Sequence, residues 1–276
     1  MFNRLKLIFR LLFGKASLLE RFSFLRRISI LILPEYRFKW PQMEWWNDLE
    51  FSKYVEQFDG KNSNNHDRRW MAFQLMRLVE SIEGDTVECG AYKGATSKLI
   101  LIMNVKSIYQ KIHHIFDSFE GLSKPGDKDG VPWSKNDLSA GEDVVAENLH
   151  PYKNFIMYKG WIPDRFDEVK SKKFSFIHVD VDLYGPTKDS IEFFYERMSE
   201  GAIFLCNDYG FTSCPGATQA VDEFLDDKPE RMIALSGGGG FFVKGVVVSK
   251  EKSYQTHKVI TDSKLMERVG CQGVTA

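Results

Sequence analysis

Residues 85–97 read DTVECGAYKGATS: an apolar run ending on Glu88 and Cys89, a turn with glycines at its first and fifth places (Gly90, Gly94), and a small-residue helix start. A strand passing through a glycine turn into a helix opens a β-α-β unit. Further short runs with β character follow at 112–117 (IHHIFD), 154–160 (NFIMYKG), 174–182 (FSFIHVDVD) and 201–208 (GAIFLCND), with helical segments near 94–104, 139–149, 163–170 and 186–198. A helix over Asp67–Ile82 precedes the first strand. Another over Ala217–Asp227 leads into RMIALS and FFVKGVVVS, which Gly237–Gly240 join as an antiparallel hairpin. The expected fold is α/β: a doubly wound, mostly parallel sheet of seven strands, covered on both faces and closed by the hairpin. It occupies residues 47–250, between a helical extension (1–46) and a peripheral tail (251–276).

The chain has 276 residues, 43% hydrophobic and 27% charged, with a net charge of −1. That balance excludes wholesale disorder and gives no case for a nucleic-acid partner. Residues 1–46 differ, with nine basic and three acidic side chains. Phe2, Leu5, Ile8, Phe9, Leu12 and Phe13 share a broad helical face there. Such a segment packs on the main domain, pairs two subunits into a homo-oligomer, or lies peripherally on an anionic membrane. The longest uncharged stretch, Tyr209–Val221, has 13 residues, against the ~20 that a bilayer requires. Arg10 and Lys15 interrupt the N-terminal apolar run and no small-x-small cleavage site follows, so the expectation is an uncleaved, cytoplasmic chain. Four cysteines without a CxxC pair read as reduced thiols, Cys89 and Cys206 within strands.

The glycine turn is neither GxGxxG nor a P-loop. A strand-end carboxylate, Glu88, followed by Gly90 and Gly94 suits the cationic head of a ligand, and equally suits a plain strand-turn-helix. Asp117, 29 residues after Glu88, ends the next strand, where an acidic side chain can accept the ribose hydroxyls of a nucleoside. Together these features fit S-adenosylmethionine. A second cluster lies in HVDVDLY: His178, Asp180 and Asp182 alternate, and share one face if the strand runs that far. Asn207 and Asp208 end the neighbouring strand. Two carboxylates and an amide suit Mg²⁺ or another hard divalent cation, although strand-end carboxylates also cap helices and pair with Lys or Arg. His178 is a rival proton acceptor to Asp182, and His113 and His114 read as packed strand residues. The polar connection 118–137 reads as a lid.

Five segments, DTVECGAYKGATS (85–97), FDSFEGL (116–122), YKGWIPDRF (158–166), HVDVDLYGPTKDSIEFFYERMSEGAIFLCNDYG (178–210) and GATQAVDEF (216–224), resemble the macrocin O-methyltransferase family of sugar O-methyltransferases. The glycine turn also looks like that of catechol O-methyltransferase. The resemblance implies a class I, Rossmann-like methyltransferase fold. It implies an S-adenosylmethionine site lined by Glu88, Gly90, Tyr92, Thr96, Asp117 and Ser118, with Gly160 and Trp161 beside the adenine. It also implies metal ligands at Asp180, Asn207 and Asp208 and a general base at Asp182. The family usually has aspartate where this chain has Asn207. The acceptor implied is a hydroxyl of a sugar or glycan, with Trp133 as a stacking platform or an apolar anchor. A phenolic acceptor and a non-catalytic binding module are the alternatives.

Overall fold

The computed structural model describes residues 10–11, 13–32, 48–58 and 65–248, in two compact units divided after Gln57. In the first, helix α1 spans Leu18–Ile32 and α2 begins at Leu49 and runs to Phe58. Ser17 and Glu20 exchange backbone-to-side-chain bonds at the start of α1 (2.7 and 3.3 Å), a capping box. Asp48 caps α2 through the Phe51 N–H (2.9 Å). Along α1 the side chains of Leu19, Leu25, Leu31 and Ile32 are exposed. Of the apolar face expected over 2–13, only Phe13 is among the described residues, and the tail 251–276 lies outside them.

The second unit is the α/β domain. Its strands are β1 (Asp85–Cys89), β2 (His113–Asp117), β3 (Phe155–Lys159), β4 (Phe174–Val179), β5 (Met198–Cys206), β6 (Ile233–Ala234) and β7 (Gly240–Val243), in the order β3-β2-β1-β4-β5-β7-β6. The first five are parallel, and β7 runs antiparallel to both neighbours. Helices α3 (His66–Arg77), α4 (Ala95–Asn104), α5 (Glu142–Leu149), α6 (Tyr184–Tyr195) and α7 (Pro215–Leu225) accompany it. Strands covered on both faces need near-continuous apolar sequence, and every residue of β4 is buried. Phenylalanines fill the core beneath, Phe116 edge-on to Phe166 at 5.0 Å and Phe174 edge-on to Phe194 at 5.2 Å. The order reverses between β1 and β4, which opens a crevice at their carboxyl ends.

Several boundaries differ from the sequence reading. The helix expected over Asp67–Ile82 stops at Arg77, where the Leu78 and Val79 N–H groups close tight turns on Leu75 and Met76. Segment 163–170 contains a single 3₁₀ turn, Phe166–Val169. β5 starts at Met198 and stops at Cys206, so Asn207 and Asp208 lie just beyond it. β4 stops at Val179: Asp182 takes a left-handed conformation (φ +58°) and the Leu183 N–H turns back on the Val181 carbonyl (2.6 Å). Asp182 therefore does not continue the face of His178, whereas the Asp180 N–H still extends the ladder to the Cys89 carbonyl (2.9 Å).

Candidate active site

A cleft of about 900 Å³ opens over the carboxyl ends of the central strands. Glu88, Gly90, Tyr92, Thr96, Asp117, Ser118 and Trp161 lie along one part of its wall, and Asp180, Asp182, Asn207 and Asp208 along another. The size is that of a small-molecule site. Gly94 and Gly160 are not among the described residues that line it. Gly94 starts α4 in a left-handed conformation (φ +78°) under Val145, and the Gly160 N–H extends the β2–β3 ladder to the Asp117 carbonyl (3.0 Å). Gly90 is required for a reason internal to the chain. At φ +86° a Cβ there would stand 1.9 Å from the Asp180 carbonyl oxygen, so glycine lets the turns after β1 and β4 close on each other.

Asp117 fastens the glycine turn to the end of β2. Its carboxylate accepts the N–H groups of Ala91 (2.6 Å), Tyr92 (3.2 Å) and Phe119 (2.6 Å). Burial raises its pKa against the pull of those three donors. A carboxylate has about four acceptor sites, so this anchoring leaves capacity for a ribose hydroxyl. Glu88 is fully buried and satisfied within the protein, by the Ser97 hydroxyl and by His178 Nδ1 at 3.0 Å, with His113 Nε2 at 3.7 Å. Burial alone would raise its pKa, but the two imidazoles favour the carboxylate more strongly and bring it to about 2. His178 is thus bonded to Glu88 and is not among the described residues that line the cleft. His114 is packed as expected, bonded to Tyr158 (2.9 Å) and Asp85 (3.0 Å).

The acidic part of the wall is tightly linked. Asp208 Oδ2 accepts the Asp182 N–H (2.8 Å), and the Cys214 thiol donates to Asp182 Oδ1 (3.4 Å). Oxygen and sulfur atoms of Asp182, Asp208 and Cys214 all lie within 4.8 Å of one another. Burial, then the charge of Asp180, pushes the Asp182 carboxyl up to about 7. Burial and both neighbouring aspartates hold Asp208 well above its ordinary range. A divalent cation would relieve that strain, and the oxygen donors of Asp180, Asn207 and Asp208 on the same wall are of the hard type it prefers. Burial also keeps the Cys214 thiol protonated and hence a poor ligand. The donor chemistry suits a hard cation, but the cluster that the described residues bring within 4.8 Å is Asp182, Asp208 and Cys214, without Asp180.

Two participants escape sequence reasoning. Arg68, in the first turn of α3, belongs to HDRRW, a charge run indistinguishable from a solvated helix face. Cys214 is a lone cysteine with no patterned partner. The connection 118–137 is fastened, not loose. Leu122 bonds Asp137 (2.8 Å), Asp129 accepts the Tyr184 N–H at the start of α6 (2.6 Å), and the Trp133 indole N–H donates to the Ser213 carbonyl (2.9 Å). Trp133 lines the cleft and packs against the core, so the anchoring role is fulfilled and one part of the ring still borders the cavity.

Comparisons with known proteins establish the family and the fold. The family profile described as macrocin-O-methyltransferase (TylF) matches residues 72–242, from within α3 to β7. The chain is 26% identical over 180 residues to demethyldecarbamoylnovobiocin O-methyltransferase of Streptomyces niveus, covering 60% of this chain and 68% of that protein. It is 26% identical over 152 residues to 8-demethyl-8-(2,3-dimethoxy-alpha-L-rhamnosyl)-tetracenomycin-C 4'-O-methyltransferase of Streptomyces olivaceus, covering 51% of this chain and, at 58%, less than two thirds of that one. The solved structure of CalS11, a calicheamicin methyltransferase, superposes with a TM-score of 0.59 at 18% identity, covering 84% of this chain and 95% of that chain. That likeness establishes the shared fold, and the profile match over more than half of the sequence establishes descent: the chain belongs to the macrocin O-methyltransferase family.

Proposed function

We propose that this chain transfers a methyl group from S-adenosylmethionine to a hydroxyl of a sugar ring, with a divalent cation such as Mg²⁺ at the acidic wall. The observation that carries this reading is the meeting, in one cleft, of the glycine turn, Asp117 and Trp161 with Asp180, Asp182, Asn207 and Asp208. The relatives support it: one is named for a 4'-hydroxyl methylation on a rhamnosyl-bearing compound, another is mycinamicin III 3''-O-methyltransferase. When bound, the cofactor supplies an electrophilic methyl group, and the cation lowers the pKa of the acceptor hydroxyl.

The chain's own residues do the rest. Asp117 accepts a ribose hydroxyl while its backbone donors fix the glycine turn, and Trp161 covers the adenine. Asp180, Asn207 and Asp208 hold the cation. Asp182 receives the hydroxyl proton. The Asp208 carboxylate fixes its backbone, and a carboxylate held in place in this way is a competent proton acceptor. Trp133, pinned by Ser213, bounds the acceptor side. The test is a panel of glycosides and nucleotide-linked sugars beside catechols, incubated with methyl-labelled S-adenosylmethionine. Label on a sugar oxygen is the expected result; label confined to catechols replaces the sugar reading with a phenolic one, and no label on any acceptor despite cofactor binding favours a binding module.

A further inference from the structure

Arg68 stands where α3 meets the acidic wall. Nη1 donates to the Asn207 carbonyl at 3.3 Å, 139 residues away in sequence, and the other arm of the fork donates to Asn65 Oδ1. The guanidinium carbon lies 4.9 Å from the centroid of the Phe211 ring. The half-buried side chain is therefore held on three sides, by an amide, a backbone carbonyl and an aromatic face, and it lines the same cleft as Asp182 and Asp208. Asn207, whose N–H is fixed by the Val179 carbonyl (2.8 Å), is thereby gripped at both its backbone ends. It immediately precedes Asp208, whose Oδ2 holds the backbone of Asp182. One bond from Arg68 thus bears on two residues of the acidic wall.

We propose that Arg68 is the positioning residue of the acidic wall: its fork fixes the Asn207–Asp208 turn, and its fixed positive charge sets the balance of that wall for one divalent cation. This rests on the reading of the wall as the cation and base site. Arg68 places a fixed positive charge in the same cleft as the carboxyl groups of Asp180, Asp182 and Asp208, where it competes with a bound cation for them. Arginine suits the task because its planar fork keeps two bonds and an aromatic stack at once, and it stays charged at any working pH.

The sign of the metal effect separates this role from a general structural one. Loss of a nearby positive charge strengthens cation binding, whereas loss of packing weakens it. Mn²⁺ binding to the full chain, followed by electron paramagnetic resonance of the free ion without acceptor, is measured for wild type, Arg68→Met and Arg68→Lys, together with kcat, KM and Tm. Arg68→Met is expected to bind Mn²⁺ more tightly by on the order of tenfold and to turn over at least ~10-fold more slowly, with KM for S-adenosylmethionine unchanged. Arg68→Lys keeps the Mn²⁺ affinity of the wild type and recovers part of the rate. Weaker Mn²⁺ binding in Arg68→Met, with kcat, KM and Tm all degraded together, overturns the proposal, as does a Met variant that binds and turns over like the wild type. Failure of the wild-type chain to bind Mn²⁺ overturns the cation reading itself and, with it, the charge-balancing role.

Discussion

Asp182 sits in a conformation that few non-glycine residues adopt, at φ +58°, with its N–H on Asp208 and its carboxylate beside the Cys214 thiol. Aspartate is among the few non-glycine residues that adopt left-handed backbone, and here its bonds to Asp208 and Cys214 hold it between the ends of β4 and β5 and the start of α7. Asp182→Asn preserves shape and hydrogen bonding while removing the proton acceptor. It is expected to lower kcat by ~10²–10⁴-fold, the range for a general base, with S-adenosylmethionine affinity unchanged by titration calorimetry; a rate near that of the wild type would exclude Asp182 as the base. The aspartates of this wall were legible in the sequence because HVDVD and ND stand at strand ends, where a doubly wound sheet collects its chemistry. Their mutual arrangement was not. Alternation places His178 with Asp180 and Asp182, but the turn at Val181–Leu183 takes Asp182 out of the period, and His178 bonds its register partner Glu88. Arg68 was invisible because its role depends on a carbonyl 139 residues distant.

At the scale of elements, the buried carboxylate of Glu88 ties β1 to β4 through His178 and to α4 through Ser97, with His113 of β2 close by. Its pKa in the folded protein is about 2 against 4.5 for the free group. A depressed carboxylate stabilises the fold at pH values above the unfolded pKa, and that contribution disappears as pH falls from 4.5 through about 2. The advantage of the wild type over Glu88→Gln in urea unfolding should therefore be on the order of 3 kcal/mol at neutral pH and shrink on acidification through that window. An advantage constant down to pH 3 would mean that Glu88 is not held ionised by its neighbours. Strand identity was readable along β1, β2, β4 and β5, where apolar runs and glycine turns coincide. Strand ends were not, because hydrogen bonds to neighbouring chain decide them: β5 stops before Asn207, and β6 keeps only Ile233 and Ala234, both exposed. The sequence does not show why position 90 is glycine: the close contact there is with the Asp180 carbonyl, 90 residues away.

For the whole molecule, the strand order β3-β2-β1-β4-β5-β7-β6 brings residues from 88 to 208 to one crevice. The alternation of strands and helices implies a doubly wound sheet with a terminal hairpin, and right-handed crossovers leave few arrangements for it; the order itself comes from the structure. The extension 1–46 was less legible: its apolar residues have no place in the sheet, and the described part, α1, presents Leu19, Leu25, Leu31 and Ile32 to its surroundings. The proposed function needs a cofactor at the glycine turn and a cation and base at the acidic wall, and both parts of the wall border one cleft. The most direct measurement is the rate of label transfer from methyl-labelled S-adenosylmethionine to a sugar acceptor by the full chain, before EDTA treatment, after it, and after return of Mg²⁺. Transfer that falls to background with the chelator and recovers with Mg²⁺ is the expected result; transfer that proceeds undiminished in EDTA would contradict the role assigned to Asp180, Asn207 and Asp208.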